Sequence, residues 1–367
     1  MSAPGPDPAA GILRLGCTAR LRSCLDRAAA GERIKLGFIG GSITQGSLAS
    51  ASETCYAHRV YDWWRTTFGT AAYCNAGIGG TTSQFGAARV EEDLLCRAPD
   101  VVFVEFSVND ENTDHFAETY EGLVRRILSH PNKPAVVLIH NMFYDTGRSA
   151  EEVHAAVGAH YALPSVSLRA FLWEALRTGA IDRRELTPDD LHPNDRGHAL
   201  VADMVIALLE AARRGETAPD IPLPPPRTAN AYERSARWRN CNASPELRGF
   251  TPDPRPQARL TELWRGGWVA GNDGDAIIFD VEGTCLAVQY RKSVRRPAPV
   301  AAAIVDGAEE APILLDANFD EDWGDCLYLQ DLLVHGAPGL HRVEIRIVQT
   351  HGDDQVPFYL NSIIASY

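Results

Sequence analysis

The sequence predicts an α/β domain built on a doubly wound parallel sheet, followed by an all-β sandwich. In the first part of the chain, runs that are apolar almost throughout alternate with amphipathic stretches, the pattern of strands buried on both faces and helices covering them. A proline-rich polar segment then interrupts this texture. Beyond it, short apolar runs recur between Gly, Asp and Pro clusters, as in an antiparallel sandwich. The 367 residues accordingly divide into an N-terminal extension over 1–33, an α/β domain over 34–213, a linker over 214–244 and a sandwich over 245–367. A chain of this length is expected to build more than one core.

The predicted strands of the α/β layer are Ile34–Ile39, Ala71–Ile78, Val101–Val108, Ala135–Ile139 and Ser165–Leu168. Ser50-x-x-Glu53 reads as a capping box opening a helix on which Tyr56, Val60, Trp63 and Trp64 recur at helical spacing. Phe116, Tyr120, Leu123 and Ile127 mark another helix, and a last one starts near Asp195 and runs through Ala199, Met204 and Leu208. In the linker, Pro222 and Pro224-Pro225-Pro226 cannot continue a helix. The sandwich strands include Asp275–Phe279, Cys285–Tyr290, Val300–Val305 and Val343–Val348. Trp264, Trp268, Trp323, Tyr290 and Tyr328 have two readings, a stacking platform for sugar rings or core and interdomain contacts, and the second is favoured.

Composition excludes several function classes. Apolar residues make up 45% and charged residues 23%, ordinary values for a globular protein. A net charge of -13 without clustered Lys/Arg argues against a nucleic-acid partner. The one basic run, Arg291-Lys292 with Arg295-Arg296, reads as a solvated loop. No stretch of 18 apolar residues is present, so no membrane-spanning segment is expected. Met1–Ala10 lacks a charged region followed by an apolar run, which gives the expectation of a cytoplasmic protein. The eight cysteines, at 17, 24, 55, 74, 96, 241, 285 and 326, form no C-x-x-C pair and read as reduced, mostly buried thiols.

Ligands bind outside the carboxyl ends of the strands in such sheets. The first strand ends in Gly40-Gly41-Ser42-Ile43-Thr44, the second in Asn75-Ala76-Gly77-Ile78-Gly79-Gly80-Thr81, and the third in Glu105-Phe106-Ser107-Val108-Asn109-Asp110. Thr187-Pro188-Asp189-Asp190-Leu191-His192-Pro193-Asn194 precedes the final helix. In this order the four blocks resemble those of the SGNH (GDSL) hydrolases, over roughly Ile34 to Arg213. The resemblance places the block I serine at Ser42, in Gly-Gly-Ser-Ile where the family has Gly-Asp-Ser-Leu. The block II glycine falls at Gly80, the block III asparagine at Asn109 and the block V Asp-x-x-His at Asp189 to His192. It implies a flavodoxin-like three-layer domain, here joined to a jelly-roll-like sandwich as in carbohydrate esterases that carry a β module.

The chemistry needs these residue types. A serine hydroxyl requires an adjacent base, supplied by His192. Asp189, one short turn earlier, can accept from the imidazole Nδ1–H, fix the tautomer and stabilise the imidazolium. By the resemblance, the oxyanion donors are the backbone N–H groups of Ser42 and Gly80 and the Asn109 side-chain amide. Asp190, His198, His140, His154 and His160 are read as capping or packing residues. The expected activity is hydrolysis of short acyl esters, chiefly acetyl, through an acyl-enzyme, with no cofactor and no metal. The substrate is a small acyl ester, with an acylated oligosaccharide as the leading candidate, and homo-oligomerisation is left open.

The same residues admit other readings. An acyltransferase would use the same acyl-enzyme, and a carbohydrate-binding protein with a decayed enzyme fold would not need the intact Ser42, Asp189 and His192. Gly41-x-x-x-x-Gly46 imitates a P-loop, but Ser47 stands where the phosphate-binding Lys belongs. Asp189, Asp190, His192 and His198 lack a recognised metal-ligand spacing. Thr44 occupies the last position of the α/β-hydrolase elbow G-x-S-x-G, which is therefore absent. The stretch Asn141–Ala150 is the one loop expected to frame the site.

Overall fold

The near-continuous apolar runs become parallel strands, buried along almost their whole length at 34–40, 101–105, 135–140 and 165–167, while 71–77 at the sheet edge is only half-buried through its middle. A computed structural model of the chain describes residues 6–215 and 220–367, and the chain separates into two compact units, Met1–Asn230 and Ala231–Tyr367. Residues 1–5 of the expected extension and 216–219 of the expected linker lie outside the described residues.

The first unit begins with β1 (Ile12–Arg14), α1 (Ala19–Ala29), β2 (Ile34–Gly40), the one-turn α2 (Ser42–Gln45), α3 (Tyr56–Phe68) and β3 (Ala71–Gly77). It continues with α4 (Ser83–Asp93), β4 (Val101–Glu105), α5 (Asp114–Leu128), β5 (Ala135–His140), α6 (Glu151–His160), β6 (Ser165–Ser167), α7 (Leu168–Arg177) and α8 (Asp195–Arg214). The sheet order is β1-β6-β5-β4-β2-β3, parallel except for β1, which pairs antiparallel with β6. The chain winds to one side of β2 and then to the other, so the switch point lies between β2 and β4, where such sheets open a crevice. Gly40 is in register with both Gly77 and Glu105. The turns after β2, β3 and β4 therefore start at one level. Phe38 and Phe103 stack at 4.5 Å between ring centroids in the core beneath them.

The described part of the expected extension, residues 6–33, is an integral part of this unit. Leu21, Leu25 and Ala28 of α1 are buried in the same core as Ile34 and Val101. The capping box expected at Ser50 is also corrected. The Ser50 N–H and hydroxyl both donate to the Asp195 carboxylate, at 2.8 and 2.6 Å, and α3 starts at Tyr56. A partner 145 residues away thus wins over the local one.

The linker expected over 214–244 is corrected at both ends. Arg125 donates to the Pro224 carbonyl at 2.8 Å, and Glu121 accepts from the Arg227 and Thr228 N–H groups at 2.6 and 2.7 Å, so residues up to Asn230 belong to the first unit. Beyond them, β7 (Ser235–Trp238) already pairs with the last strand.

The second unit is a sandwich of two antiparallel sheets. After β7 come β8 (Glu246–Arg248), β9 (Thr251–Pro252), β10 (Trp268–Ala270), β11 (Ala276–Gly283), β12 (Cys285–Lys292) and β13 (Val300–Val305). Then follow β14 (Ile313–Asp316), β15 (Cys326–Leu333), β16 (Gly339–Gln349) and β17 (Phe358–Ser366). One sheet runs β15-β12-β17-β10-β9 with β7 also on β17, and the other β14-β13-β16-β11-β8. Along β16, His341, Val343, Ile345 and Ile347 turn inward while Leu340, Arg342 and Val348 stay exposed, the period-two alternation of a half-buried strand. Trp268 and Tyr290 are core residues, whereas Trp323 and Tyr328 are exposed. The basic run is only partly a loop. Arg291 and Lys292 end β12, and Arg291 is buried, donating to the Pro357 carbonyl.

The cysteines at 24, 55, 74, 96, 241, 285 and 326 are free thiols. Four are buried (24, 55, 285 and 326), fewer than expected, while Cys96 and Cys241 are exposed. Among the described residues no helix is long and apolar enough to cross a membrane.

Candidate active site

Ser42 is the first residue of α2, immediately after β2 and the Gly40-Gly41 pair. The first N–H groups of a helix have no intrahelical acceptor, so the Ser42 N–H is available to a ligand beside its own hydroxyl. The turn after β3 passes close by: a Cβ placed on Gly79 would lie 3.5 Å from Ser42 Cβ, and the Gly79 N–H donates to Gln45 Oε1 at 2.6 Å. Gly80 has φ +68, a conformation open to glycine at little cost. Asn109 follows β4, and its N–H and that of Asp110 both donate to the Phe106 carbonyl, at 3.0 and 2.9 Å. The Asn109 amide comes within contact of Gly41, and its buried Oδ1 has no hydrogen-bond partner.

The loop before α8 completes the arrangement. His192 Nε2 lies 2.8 Å from Ser42 Oγ, and His192 Nδ1 lies 2.7 Å from Asp189 Oδ2. Asp189 Oδ1 accepts the His192 N–H at 2.7 Å, the Leu191 N–H at 3.0 Å and the Thr187 hydroxyl at 3.2 Å. Partial burial works against the Asp189 charge, but the hydrogen bonds from His192 and Leu191 outweigh it and hold the carboxyl below its ordinary range. With the carboxylate accepting from Nδ1–H, Nε2 is the basic nitrogen and faces the serine hydroxyl. All five sequence-predicted site residues thus stand at the C-terminal edge of the parallel sheet or in the loop that covers it. Ser42, His192 and Asp189 are joined by direct hydrogen bonds.

Residues set aside in the sequence take structural positions. Asp190 has φ +66 and bonds to Arg183 and Arg184 at 2.7 and 2.8 Å, with no bond to His192. His198 is buried, accepting the Tyr56 N–H at Nδ1 and donating from Nε2 to the Ser47 carbonyl, and burial pulls its pKa down to about 4. His154 bonds to Asp110, and His160 to the Pro225 carbonyl. His140 is fully buried with neither ring nitrogen partnered, and its pKa is pulled down to about 3 by burial. The loop 141–150 meets the loop before α8, where the Tyr144 N–H donates to the Asp190 carbonyl at 2.8 Å, and within it Arg148 lies over the Phe143 ring at 4.0 Å.

Sequence reasoning missed Glu105. It ends β4 beneath the serine, buried completely, and bonds to Thr44 Oγ1 and Ser107 Oγ at 3.3 and 3.4 Å. Burial pushes its carboxyl up to about 7. A lone glutamate closing an otherwise apolar strand was the available signal.

Residues 38–200 match the sequence model of the GDSL-like lipase/acylhydrolase family. Among solved structures, a two-domain esterase (CEX) active on acetylated mannans is 50% identical, with a TM-score of 0.97 over 98% of each chain. The chain belongs to the GDSL-like lipase/acylhydrolase family. It is a carboxylic ester hydrolase. The same two-domain esterase co-crystallised with mannopentaose matches at 50% identity and a TM-score of 0.96, over 99% of this chain and 98% of that one. No curated protein sequence matches this GDSL-like hydrolase.

Proposed function

We propose that this hydrolase removes short acyl groups, chiefly acetyl, from carbohydrate, with acetylated mannan-type oligosaccharides as its substrate class. The direct chain Asp189–His192–Ser42 carries the reading, and the relative active on acetylated mannans supports the substrate. Ser42 Oγ attacks the ester carbonyl while His192 Nε2 takes its proton. The C=O π pair moves onto oxygen, and this oxyanion meets the N–H groups of Ser42 and Gly80 and the Asn109 amide. Collapse expels the sugar alkoxide, which receives the proton from His192, and leaves an acetyl ester on Ser42. Water, deprotonated by the same imidazole, repeats the sequence and releases acetate and the free serine. Asp189 stabilises the imidazolium in both half-reactions.

The test is a p-nitrophenyl ester series together with acetylated mannooligosaccharides, on the wild type and Ser42→Ala. Turnover in Ser42→Ala is expected to fall by about 10⁴-fold or more with the fold retained. Activity within tenfold of wild type, or a kcat/KM that climbs from acetyl to decanoyl, would count against the reading. No long apolar insertion lies between the blocks to house a fatty chain.

A further inference from the structure

We propose that Asp110 is a positioning residue that holds two of the three oxyanion donors, the Gly80 turn and Asn109, in one register. This rests on the reading of Ser42, Gly80 and Asn109 given above. The Asp110 carboxyl is completely buried. Its Oδ1 accepts the N–H of Ser83 at 2.9 Å, and Ser83 is the first residue of α4, three positions past Gly80. A helix normally caps its first N–H groups with the side chain just before it. Thr82 holds that position and makes no such bond, so α4 takes its cap from the turn after β4, 27 residues on. Asp110 is also the chain neighbour of Asn109, and both N–H groups close on the Phe106 carbonyl. One carboxylate therefore ties the turn that carries Gly80 to the turn that carries Asn109.

The other oxygen fixes the orientation of the first. Asp110 Oδ2 lies 3.0 Å from His154 Nε2. The His154 ring is completely buried, stacks on Tyr120 at 3.6 Å between centroids, and has no partner at Nδ1. A carboxylate can only accept, so in this contact Nε2 is the donor. With one oxygen held by a backbone N–H and the other by a ring that cannot turn, the carboxylate has a single orientation. Oxyanion donors act through placement: removing one costs about 10²–10³ in turnover, and a shift of about 1 Å can cost nearly as much.

The experiment measures kcat and KM for an acetyl ester, affinity for methylboronic acid and thermal midpoint, on the full chain. The boronic acid forms a tetrahedral anion on a serine and so reads the oxyanion site without turnover. Asp110→Ala is expected to lose about 10–10²-fold in kcat, with KM within about threefold and boronate affinity falling in parallel with kcat. Asp110→Asn is expected to fall between it and wild type. Its amide oxygen can still accept from Ser83, and its NH2 can donate to Nε2 of the other His154 tautomer. Thr119→Val breaks the 2.7 Å hydroxyl contact between Thr119 of α5 and Ser83 of α4, and is expected to lower the midpoint while leaving kcat alone.

Asp110→Ala with kcat within threefold of wild type would overturn the proposal. So would a kcat loss that leaves boronate affinity unchanged, or an equal kcat loss in Thr119→Val. Should Asp110→Ala fail to fold, the comparison passes to Asp110→Ser, whose shorter side chain cannot span Ser83 and His154 together; parallel losses there support the proposal and wild-type values overturn it. Ser42→Ala separates the two readings. If it stays active, the serine-centred reading has failed; if it is dead while Asp110→Ala is fully active, only the present inference has.

Discussion

A Cβ on Gly41 would lie 2.1 Å from Asn109 Oδ1 and 2.9 Å from its Cγ, so any side chain at 41 competes with the asparagine for one volume. Backbone strain is not the reason for the glycine, because its φ of -85 is open to all residues. The sequence shows only that glycine stands here where the family has aspartate. The structure gives it a cause, since nothing larger fits while Asn109 keeps its place. Gly41→Ala is accordingly expected to displace the Asn109 amide and lower kcat for acetyl esters by about 10–10²-fold, with KM little changed. A kcat within threefold of wild type would mean that Asn109 yields without losing its function. Ser42, Asp189 and His192 were legible because their chemistry is written locally, in a strand-end serine and an Asp-x-x-His spacing. Glu105, Asp110 and the neutral state of His198 were not, since each depends on atoms that only the folded sheet edge brings together.

At the scale of elements, β2, β4, β5 and β6 were legible because strands buried on both faces must be apolar almost throughout. Strand β1 escaped notice because it has three residues and pairs at the sheet edge. Strand β17 is wholly buried, yet Asn361 and Ser362 break its apolar run, and Ser362 is satisfied only by Gln289 on β12, at 2.7 Å. The proline-rich segment after α8 misled for a similar reason. Its composition reads as a linker, but Glu121 accepts from the Arg227 N–H, the Thr228 N–H and the Thr228 hydroxyl, and Tyr161 donates to the same carboxylate. Cutting the chain at Arg213 would leave this carboxylate without three of its four donors, each worth about 1–3 kcal/mol where the acceptor is charged. A chain ending at Asn230 is therefore expected to melt well above one ending at Arg213, by about 5 °C or more. Equal midpoints in a thermal scan of the two would show that the segment is dispensable to the first unit.

For the molecule as a whole, three buried titratable groups, His198 on α8 and His140 and Glu105 at the ends of β5 and β4, set opposing pH dependences in the first unit. His198 and His140 have folded pKa values of about 4 and about 3, below the ordinary 6.5, so the unfolded chain binds more protons and each group's share of stability is lost as pH falls below 6.5. Glu105 acts in the reverse sense. Burial, aided by the nearby Asp110 charge, raises it from 4.5 to about 7, so the folded state holds a proton that the unfolded chain releases, and stability falls as pH rises between those values. Between pH 4.5 and 6.5 the two histidines outweigh the one glutamate, and from 6.5 to 7 only the glutamate acts, which places the maximum contributed by these groups near pH 6.5. Glu105→Gln removes the descending part, because an amide does not ionise. Relative to wild type it is expected to gain about 3 kcal/mol between pH 4 and pH 8, whatever the substitution costs at either pH alone. Urea unfolding of both proteins at the two pH values measures this difference. A change below about 1 kcal/mol would mean that water or a shift of Thr44 or Ser107 solvates the ionised Glu105, and that the carboxyl beneath the serine carries its charge at neutral pH.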